Sequence, residues 1–333
     1  MKKFINDPFD FVEELTEGII KAHGDYYRAD KGDLRIIVRQ DAPIKGKVAI
    51  ATGGGSGHLP VFMGYVGKGL ADGACIGNVF SSPSAGQMKR VTKAIDGGAG
   101  VVYLYGRYQG DMMNFNSAAE ESIKNGIRVE SVIVSDDVAS APPERHSERR
   151  GVAGIFFAYK IAGAMANEMA SLDEVKRVTQ KAVDNTRSLG IALGPCTIPL
   201  VGKPNFEISD DEMEIGMGIH GEQGVERVKM RTADEIAATL VDRVVNDMPF
   251  VAGDEVAVLV NSLGATPLEE LYVLYRKIDE LLREKGLVLH RPYVGRYACS
   301  MEMQGMSLSL MKLDDELKRL LDAPADSPFF KQF

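Results

Sequence analysis

The chain has 333 residues, 45% of them hydrophobic and 26% charged, which is typical of a globular protein large enough for two domains. A net charge of −8 argues against nucleic acid as the main partner, because binding to phosphates needs a basic face. The chain has no apolar run of about 18 residues and no signal-peptide pattern. Its three cysteines are far apart, and its five histidines lack metal-ligand spacing. We therefore expect a cytoplasmic protein without disulfides, metal or membrane span.

In the first half, short apolar runs that end in glycine, serine or aspartate predict three buried strands, at 47–55, 100–106 and 129–137. Helical patterns follow at 116–126 and over 149–190, where Ser171 divides the stretch into two helices. Strands that alternate with helices predict an α/β fold, here with a largely parallel sheet flanked by helices.

The second half begins after a segment rich in glycine and proline at 190–204. Its pattern predicts a helix at 232–248, a buried strand at 255–264 and a helix at 266–286 that has Pro267 as its first residue. The sequence therefore predicts two α/β domains, residues 1–190 and 191–333.

Ligands of open α/β sheets bind beyond the carboxyl ends of the strands, so the loops there hold the candidate residues. The glycine-rich segment 52–60 follows the first strand. It lacks the Gly-Lys-Ser/Thr of a Walker A loop, and His58 stands where a dinucleotide fingerprint needs its last glycine. A tight turn and a loop that contacts a ligand both remain open for this segment.

Charged residues follow the other two strands. Asp111 is either a helix cap or a general base. Asp136 and Asp137 either cap a turn, which is the commoner case, or hold Mg²⁺. Arg149 and Arg150 either contact phosphate or begin a helix.

A single histidine, His220, lies among four glycines in GMGIHGEQG, residues 216–224. Glycine allows close approach of the backbone to a neighbour at an entropic cost. The segment is therefore either a tight turn with an exposed histidine or a loop whose histidine touches a ligand.

Taken in order, the motifs of this chain resemble the substrate-binding subunit of dihydroxyacetone kinase over nearly the whole length: GKVAIATGGGSGH at 46–58, GDMMNF at 110–115, RRGVAG at 149–154, LGIALGPCTIP at 189–199, GMGIHGEQG at 216–224 and SMEMQGMSLSLMKL at 300–313. The resemblance implies that His220 bonds covalently to the ketone carbon of a short ketose as a hemiaminal. It implies that Asp111 assists the hydroxyl that receives phosphate, with His58 as the third catalytic residue. The expected substrate-binding residues are Gly55, Ser56, Gly57, His58, Asp111 and His220.

The resemblance also implies the partners. No cofactor is expected in this chain, because ATP or ADP with Mg²⁺ belongs to a separate donor subunit of the kinase, and a homodimer is expected. The alternative is an inactive paralogue that binds dihydroxyacetone and docks a transcriptional regulator as a co-activator. Gly106 stands where the family has lysine and Leu59 where it has glutamate, so we expect vacated space for a ketose longer than dihydroxyacetone.

Overall fold

The structure is a computed structural model that describes residues 2–333, with two six-stranded sheets and a two-stranded hairpin. The first sheet consists of β1 Tyr27–Asp30, β2 Asp33–Arg39, β3 Ala49–Ser56, β4 Gly73–Val79, β5 Val101–Gly106 and β6 Val129–Val134. The second consists of β7 Thr186–Gly194, β8 Glu212–Ile215, β9 Glu226–Lys229, β10 Glu255–Ser262, β11 Val288–Gly295 and β12 Gln304–Leu313, and the hairpin is β13 Ala325–Ser327 with β14 Phe330–Gln332. The α-helices are α1 Phe11–Ala22, α2 Ala85–Ile95, α3 Gln109–Lys124, α4 Ile155–Asn167, α5 Leu172–Asp184, α6 Ala233–Asp247, α7 Leu268–Glu284 and α8 Asp315–Asp322.

The first sheet has the strand order β1-β2-β4-β3-β5-β6, and its four strands β3 to β6 run parallel. Every residue of β3 and of β5 is buried, because helices cover both faces. The predicted α/β class and the largely parallel first sheet are confirmed.

The strand predicted at 47–55 includes three of the glycines and is confirmed by β3, so only residues 57–60 of the segment 52–60 form a turn or loop. Strand β3 continues through its glycines to Ser56 and pairs there with β4. A Cβ on Gly53 would lie 2.6 Å from the carbonyl oxygen of Cys75, and one on Gly55 would lie 2.5 Å from the Ser81 nitrogen. These glycines are required because neighbouring backbone passes too close for a side chain.

Two helix predictions need correction. Helix α3 begins at Gln109, seven residues before the predicted start at 116, so that Asp111 falls in its first turn. The stretch 149–190 does divide at Ser171, whose hydroxyl caps α5. However, its last residues form β7, because the ladders to β12 and β8 on either side hold them in the second sheet.

The second sheet has the order β11-β10-β12-β7-β8-β9 and is mainly antiparallel. Alternate residues of β10 enter different cores. Val256 and Val258 pack with α6 and α7, whereas Ala257 and Leu259 enter the core that contains α4. Pro267 directly precedes α7 and is not its first residue. The core that contains α4 therefore receives residues from both sheets. Residue 190, our proposed domain boundary, lies within β7.

The three cysteines are buried and unpaired. Across residues 2–333, no helix has both the length and the apolar character needed to cross a membrane.

Candidate functional site

A small cavity lies where the carboxyl ends of β3, β5 and β6 meet the loop between β8 and β9. Its volume is about 30 Å³, enough for about two water molecules. Its walls are formed by Gly55, His58, Val61, Phe62, Gly106, Tyr108, Asp111, Gly151, Val152, Ile155, Ile219 and His220. The first sheet supplies His58 and Asp111, and the second supplies His220.

His58 is held in one neutral form. Its Nδ1 lies 2.8 Å from the carbonyl oxygen of Cys299, which can only accept, so Nδ1 carries the proton. Its Nε2 is buried without a hydrogen-bond partner in the described structure and keeps its lone pair. Burial, with the neighbouring His220, lowers the pKa of His58 to about 3. This nitrogen can therefore accept a hydrogen bond from a ligand at neutral pH.

His220 is oriented by a carboxylate two residues further along the chain. Nδ1 of His220 lies 2.9 Å from Glu222 Oε1, and the His220 main-chain N–H donates to Oε2 at 2.9 Å. Burial has the largest single effect and opposes the charge of Glu222, but the contacts with His220 and the main chain together outweigh it and lower the pKa of Glu222 to about 2. With a neutral ring, Nδ1 donates to the carboxylate and Nε2 has the lone pair of a nucleophile.

The glycines near His220 make room for side chains of the protein itself. A Cβ on Gly218 would lie 2.1 Å from Glu222 Oε2 and 2.6 Å from Arg150 Nη1. Gly221 has a φ of +88°, and Asn205, which donates to the His220 carbonyl at 3.0 Å, fills the space beside it. The glycines thus let Glu222 fold back onto His220.

Aromatic rings enclose His220 on several sides. Its ring centre lies 4.6 Å from that of Tyr108, 4.9 Å from that of His58 and 5.3 Å from that of Phe80. The Tyr108 hydroxyl donates to the Gly151 carbonyl at 3.1 Å. His220 nevertheless keeps 22% of its side chain exposed, so the cavity has an opening at this residue.

The space beside Gly106 is narrow, although this glycine lines the cavity. A Cβ on Gly106 would lie 3.2 Å from both the Gly151 carbonyl oxygen and the Tyr108 ring. The ring of Tyr108 limits the space beside the glycine, and the expected room for a longer ketose stays a prediction.

Asp111 does not act as a helix cap. It lies in the first turn of α3 and is only 8% exposed, and its Oδ1 has no hydrogen-bond partner in the described structure. Burial raises the pKa of Asp111 to about 6, against the lowering effects of the Ser82 hydroxyl and of His220. A carboxylate in this environment suits proton transfer near neutral pH.

The other charged residues near the strand ends have structural partners. Asp136 accepts from the Val152 and Gly154 main-chain N–H groups, both at 2.8 Å. Asp137 accepts from the Ala139 N–H and pairs with Arg150, which also donates to the Gly216 carbonyl at 3.1 Å. These contacts match the capping alternative for the two aspartates.

Neither arginine begins a helix. The fully buried Arg149 makes two 2.6 Å hydrogen bonds to Asp247, and α4 starts only at Ile155. Within residues 2–333, no cluster of three histidine, cysteine, aspartate or glutamate side chains is arranged to hold a metal ion.

The structure brings Gly55, His58, Asp111 and His220 together around one cavity, whereas Ser56 and Gly57 lie outside its lining. Sequence reasoning missed Glu222, Tyr108, Phe80 and Asn205. Glu222 had a local signal, since an acidic residue two positions after a histidine in a turn can reach its ring. The contacts of Phe80 and Asn205 have no comparable signal.

The fold and the cavity define an α/β protein with a candidate ligand cavity between two sheets, where Glu222 orients the His220 imidazole. A family model described as the Dak1 domain matches residues 17–329. The chain belongs to this family, and the resemblance inferred from its motifs is confirmed.

Two curated relatives indicate the range of activities in the family. The PTS-dependent dihydroxyacetone kinase 2, dihydroxyacetone-binding subunit DhaK, of Listeria innocua is 46% identical over 99% of both chains. The D-erythrulose kinase of Mycolicibacterium smegmatis is 44% identical over 100% of this chain, which covers 57% of that protein.

Two solved structures are similar throughout. The dihydroxyacetone kinase of C. freundii, in complex with AMP-PNP and Mg²⁺, has a TM-score of 0.88 at 30% identity, covering 99% of this chain and 61% of that one. The dihydroxyacetone kinase operon co-activator Dha-DhaQ has a TM-score of 0.88 at 31% identity, covering 94% and 96% of the two chains.

Proposed function

We propose that this chain is the ketose-binding subunit of a dihydroxyacetone-type kinase and holds its substrate covalently on His220. The observation that carries the proposal is the pair formed by His220 and Glu222 at the cavity, with Nδ1 bound by the carboxylate at 2.9 Å. A three-carbon ketose buries too little surface to be oriented by contact alone, so a covalent bond serves that purpose.

In the binding step, Nε2 of His220 adds to the ketone carbon. The π electrons of the carbonyl move to its oxygen, which takes up a proton from solvent, while the proton of Nδ1 passes to Glu222. The carboxyl group then donates its hydrogen bond to Nδ1. The product is a neutral hemiaminal, and the Nε2 lone pair of His58 can accept a hydrogen bond from a substrate hydroxyl. Glycerol lacks the carbonyl and therefore cannot form this bond.

In the transfer step, Asp111 accepts the proton of the hydroxyl that attacks the phosphorus atom. Phosphoryl transfer depends mainly on positioning and charge stabilisation, which a substrate fixed at His220 satisfies on the acceptor side. The unpartnered Oδ1 of Asp111 supports this role, as does its raised pKa.

The phosphoryl donor, ATP or ADP with Mg²⁺, belongs to a separate subunit in this proposal. The C. freundii kinase solved with AMP-PNP and Mg²⁺ has about 40% of its length outside the part that this chain covers, which supports the division. We also propose a homodimer in the cytoplasm.

Phosphorylation of dihydroxyacetone, erythrulose and glycerol, with candidate donor subunits added, tests this function. We expect turnover of a ketose with one donor subunit, none of glycerol and none with a His220→Ala variant. Binding of ketose without turnover by any donor would contradict the kinase role and favour the co-activator alternative, which the similarity to Dha-DhaQ supports.

Dihydroxyacetone and erythrulose both remain candidate substrates. The relative that is a D-erythrulose kinase supports the longer ketose, whereas the narrow space between Gly106 and the ring of Tyr108 favours the shorter one. Competition between the two ketoses, measured by the thermal shift that each produces, distinguishes them.

A further inference from the structure

Segment 297–301 crosses from the second sheet to the cavity and holds His58 at both its main chain and its ring. The Cys299 N–H donates to the His58 carbonyl at 3.3 Å, and the Cys299 carbonyl accepts from His58 Nδ1 at 2.8 Å. The Met301 N–H donates to the Gly57 carbonyl at 2.7 Å. The position of the His58 ring therefore depends on the path of this segment.

One buried side chain, Asn261 of β10, fixes the start of the segment. Its Oδ1 accepts from the main-chain N–H groups of Tyr297 at 2.8 Å and Ala298 at 2.9 Å. Its Nδ2 donates to the Ala298 carbonyl at 2.8 Å and to Ser307 Oγ at 3.1 Å. Asn261 is 0% exposed, and its amide uses both donors and both acceptor positions.

We propose that Asn261 is a positioning residue for His58. Through residues 297–299, it holds the Cys299 carbonyl against Nδ1 and thereby keeps the tautomer in which Nε2 has the lone pair. The consequence for the substrate rests on the proposed ketose-binding function, in which this lone pair accepts a hydrogen bond from a hydroxyl. The amide supplies the acceptor for two N–H groups together with donors for the Ala298 carbonyl and Ser307, and a carboxylate lacks those donors.

The Asn261→Asp variant tests the role, because its carboxylate replaces the donor with an oxygen that repels the Ala298 carbonyl. Nitrogen NMR of labelled histidines in the ligand-free protein reports the tautomer of His58. We expect protonated Nδ1 in the wild type and a mixture of tautomers in the variant near pH 7. Ketose affinity should fall about tenfold, the effect of one lost buried hydrogen bond, and recover as the carboxyl takes up a proton at lower pH.

Ser309→Ala is the matched control. It removes a buried 2.6 Å hydrogen bond to Ser188 in the same sheet without touching segment 297–301. We expect lowered thermal stability with an unchanged tautomer and ketose affinity. If Asn261→Asp does not fold, Asn261→Ser removes the amide without adding a charge, and the same shift is expected.

A wild-type tautomer and wild-type ketose affinity in the Asn261 variants would overturn the inference, as would an equal change in Ser309→Ala. A tautomer shift in a protein whose wild type binds no ketose would support the positioning role while contradicting the proposed function.

Discussion

At the scale of single residues, the two cavity histidines, His58 and His220, use their ring nitrogens in the same way. In each ring the protein binds Nδ1, through the Cys299 carbonyl for His58 and through Glu222 for His220. In a neutral ring with Nδ1 bound in this way, Nε2 has the lone pair. The two residues differ in exposure. His58 is buried, which lowers its pKa to about 3 and keeps its ring neutral, whereas His220 lies partly exposed at the opening of the cavity.

Replacement of Asp111 by asparagine should slow turnover much more than it weakens binding. A general base acts in the transition state, so we expect the ketose adduct to persist and the rate to fall about 10²-fold or more. Steady-state kinetics with the donor subunit and calorimetry with the ketose measure the two effects. An asparagine variant with normal turnover would reduce Asp111 to a structural residue.

The wild-type rate should itself rise with pH through about 6, where Asp111 loses its proton. A pH–rate profile that stays flat between about pH 5 and pH 8 would contradict its role as the base.

Asp111→Asn should also stabilise the ligand-free protein at high pH. The pKa of Asp111 is raised from 3.8 to about 6 on folding, so the folded state binds a proton that the unfolded state has already lost. Stability therefore falls as the pH rises through this window, and Asp111→Asn escapes the loss. Urea unfolding should show the variant more stable by about 1–3 kcal/mol at pH 8 and the difference nearly gone at pH 4. An equal difference at both pH values would show that charge burial is not its cause.

At the scale of elements, the strands that carry the site could be predicted and their neighbours could not. Apolar runs identified β3, β5 and β6, and with them the positions of His58 and Asp111. The reason for the glycines at the end of β3 could not be predicted, because nothing local shows that β4 and residues 80–81 pass within contact of them. Asn261 contacts Tyr297 and Ala298, which lie 36 and 37 positions further along the chain, and such contacts depend on tertiary structure.

Gly218→Ala, a small change in the loop between β8 and β9, should weaken ketose binding. The new Cβ would meet Glu222 Oε2 at 2.1 Å, and the flexible carboxylate can move away, so the fold survives while His220 loses its orientation. We expect ketose affinity to fall about tenfold or more, with the unfolding free energy changed by less than about 1 kcal/mol.

Gly18→Ala is the control, since a Cβ at this position in α1 meets no atom within 4 Å. It should be neutral or stabilising by about 0.5–1 kcal/mol and leave ketose binding unchanged. Wild-type ketose affinity in Gly218→Ala would show that the contact of Glu222 with His220 is dispensable.

At the scale of the whole molecule, the site exists only because both sheets are present, since one supplies His58 and Asp111 and the other supplies His220. The shared core around α4 and β10 fixes their relation. In the proposed function this chain supplies the acceptor, and its glycine-rich segment is a strand followed by a turn rather than a phosphate-binding loop at the start of a helix.

The chain alone should therefore bind no Mg-ATP. Calorimetric titration at about millimolar nucleotide should be flat for a sample that binds dihydroxyacetone. Saturable binding in the micromolar range would reveal a nucleotide site and contradict the proposal that the donor nucleotide binds to a separate subunit.

The central claim is the covalent bond between His220 and the ketose, and a crystal structure after soaking in dihydroxyacetone tests it most directly. The account predicts continuous electron density from His220 Nε2 to the ketone carbon, with Glu222 still on Nδ1 and a substrate hydroxyl within hydrogen-bond reach of His58. A ketone that lies unbonded in the cavity, or bonded to another residue, would contradict the claim.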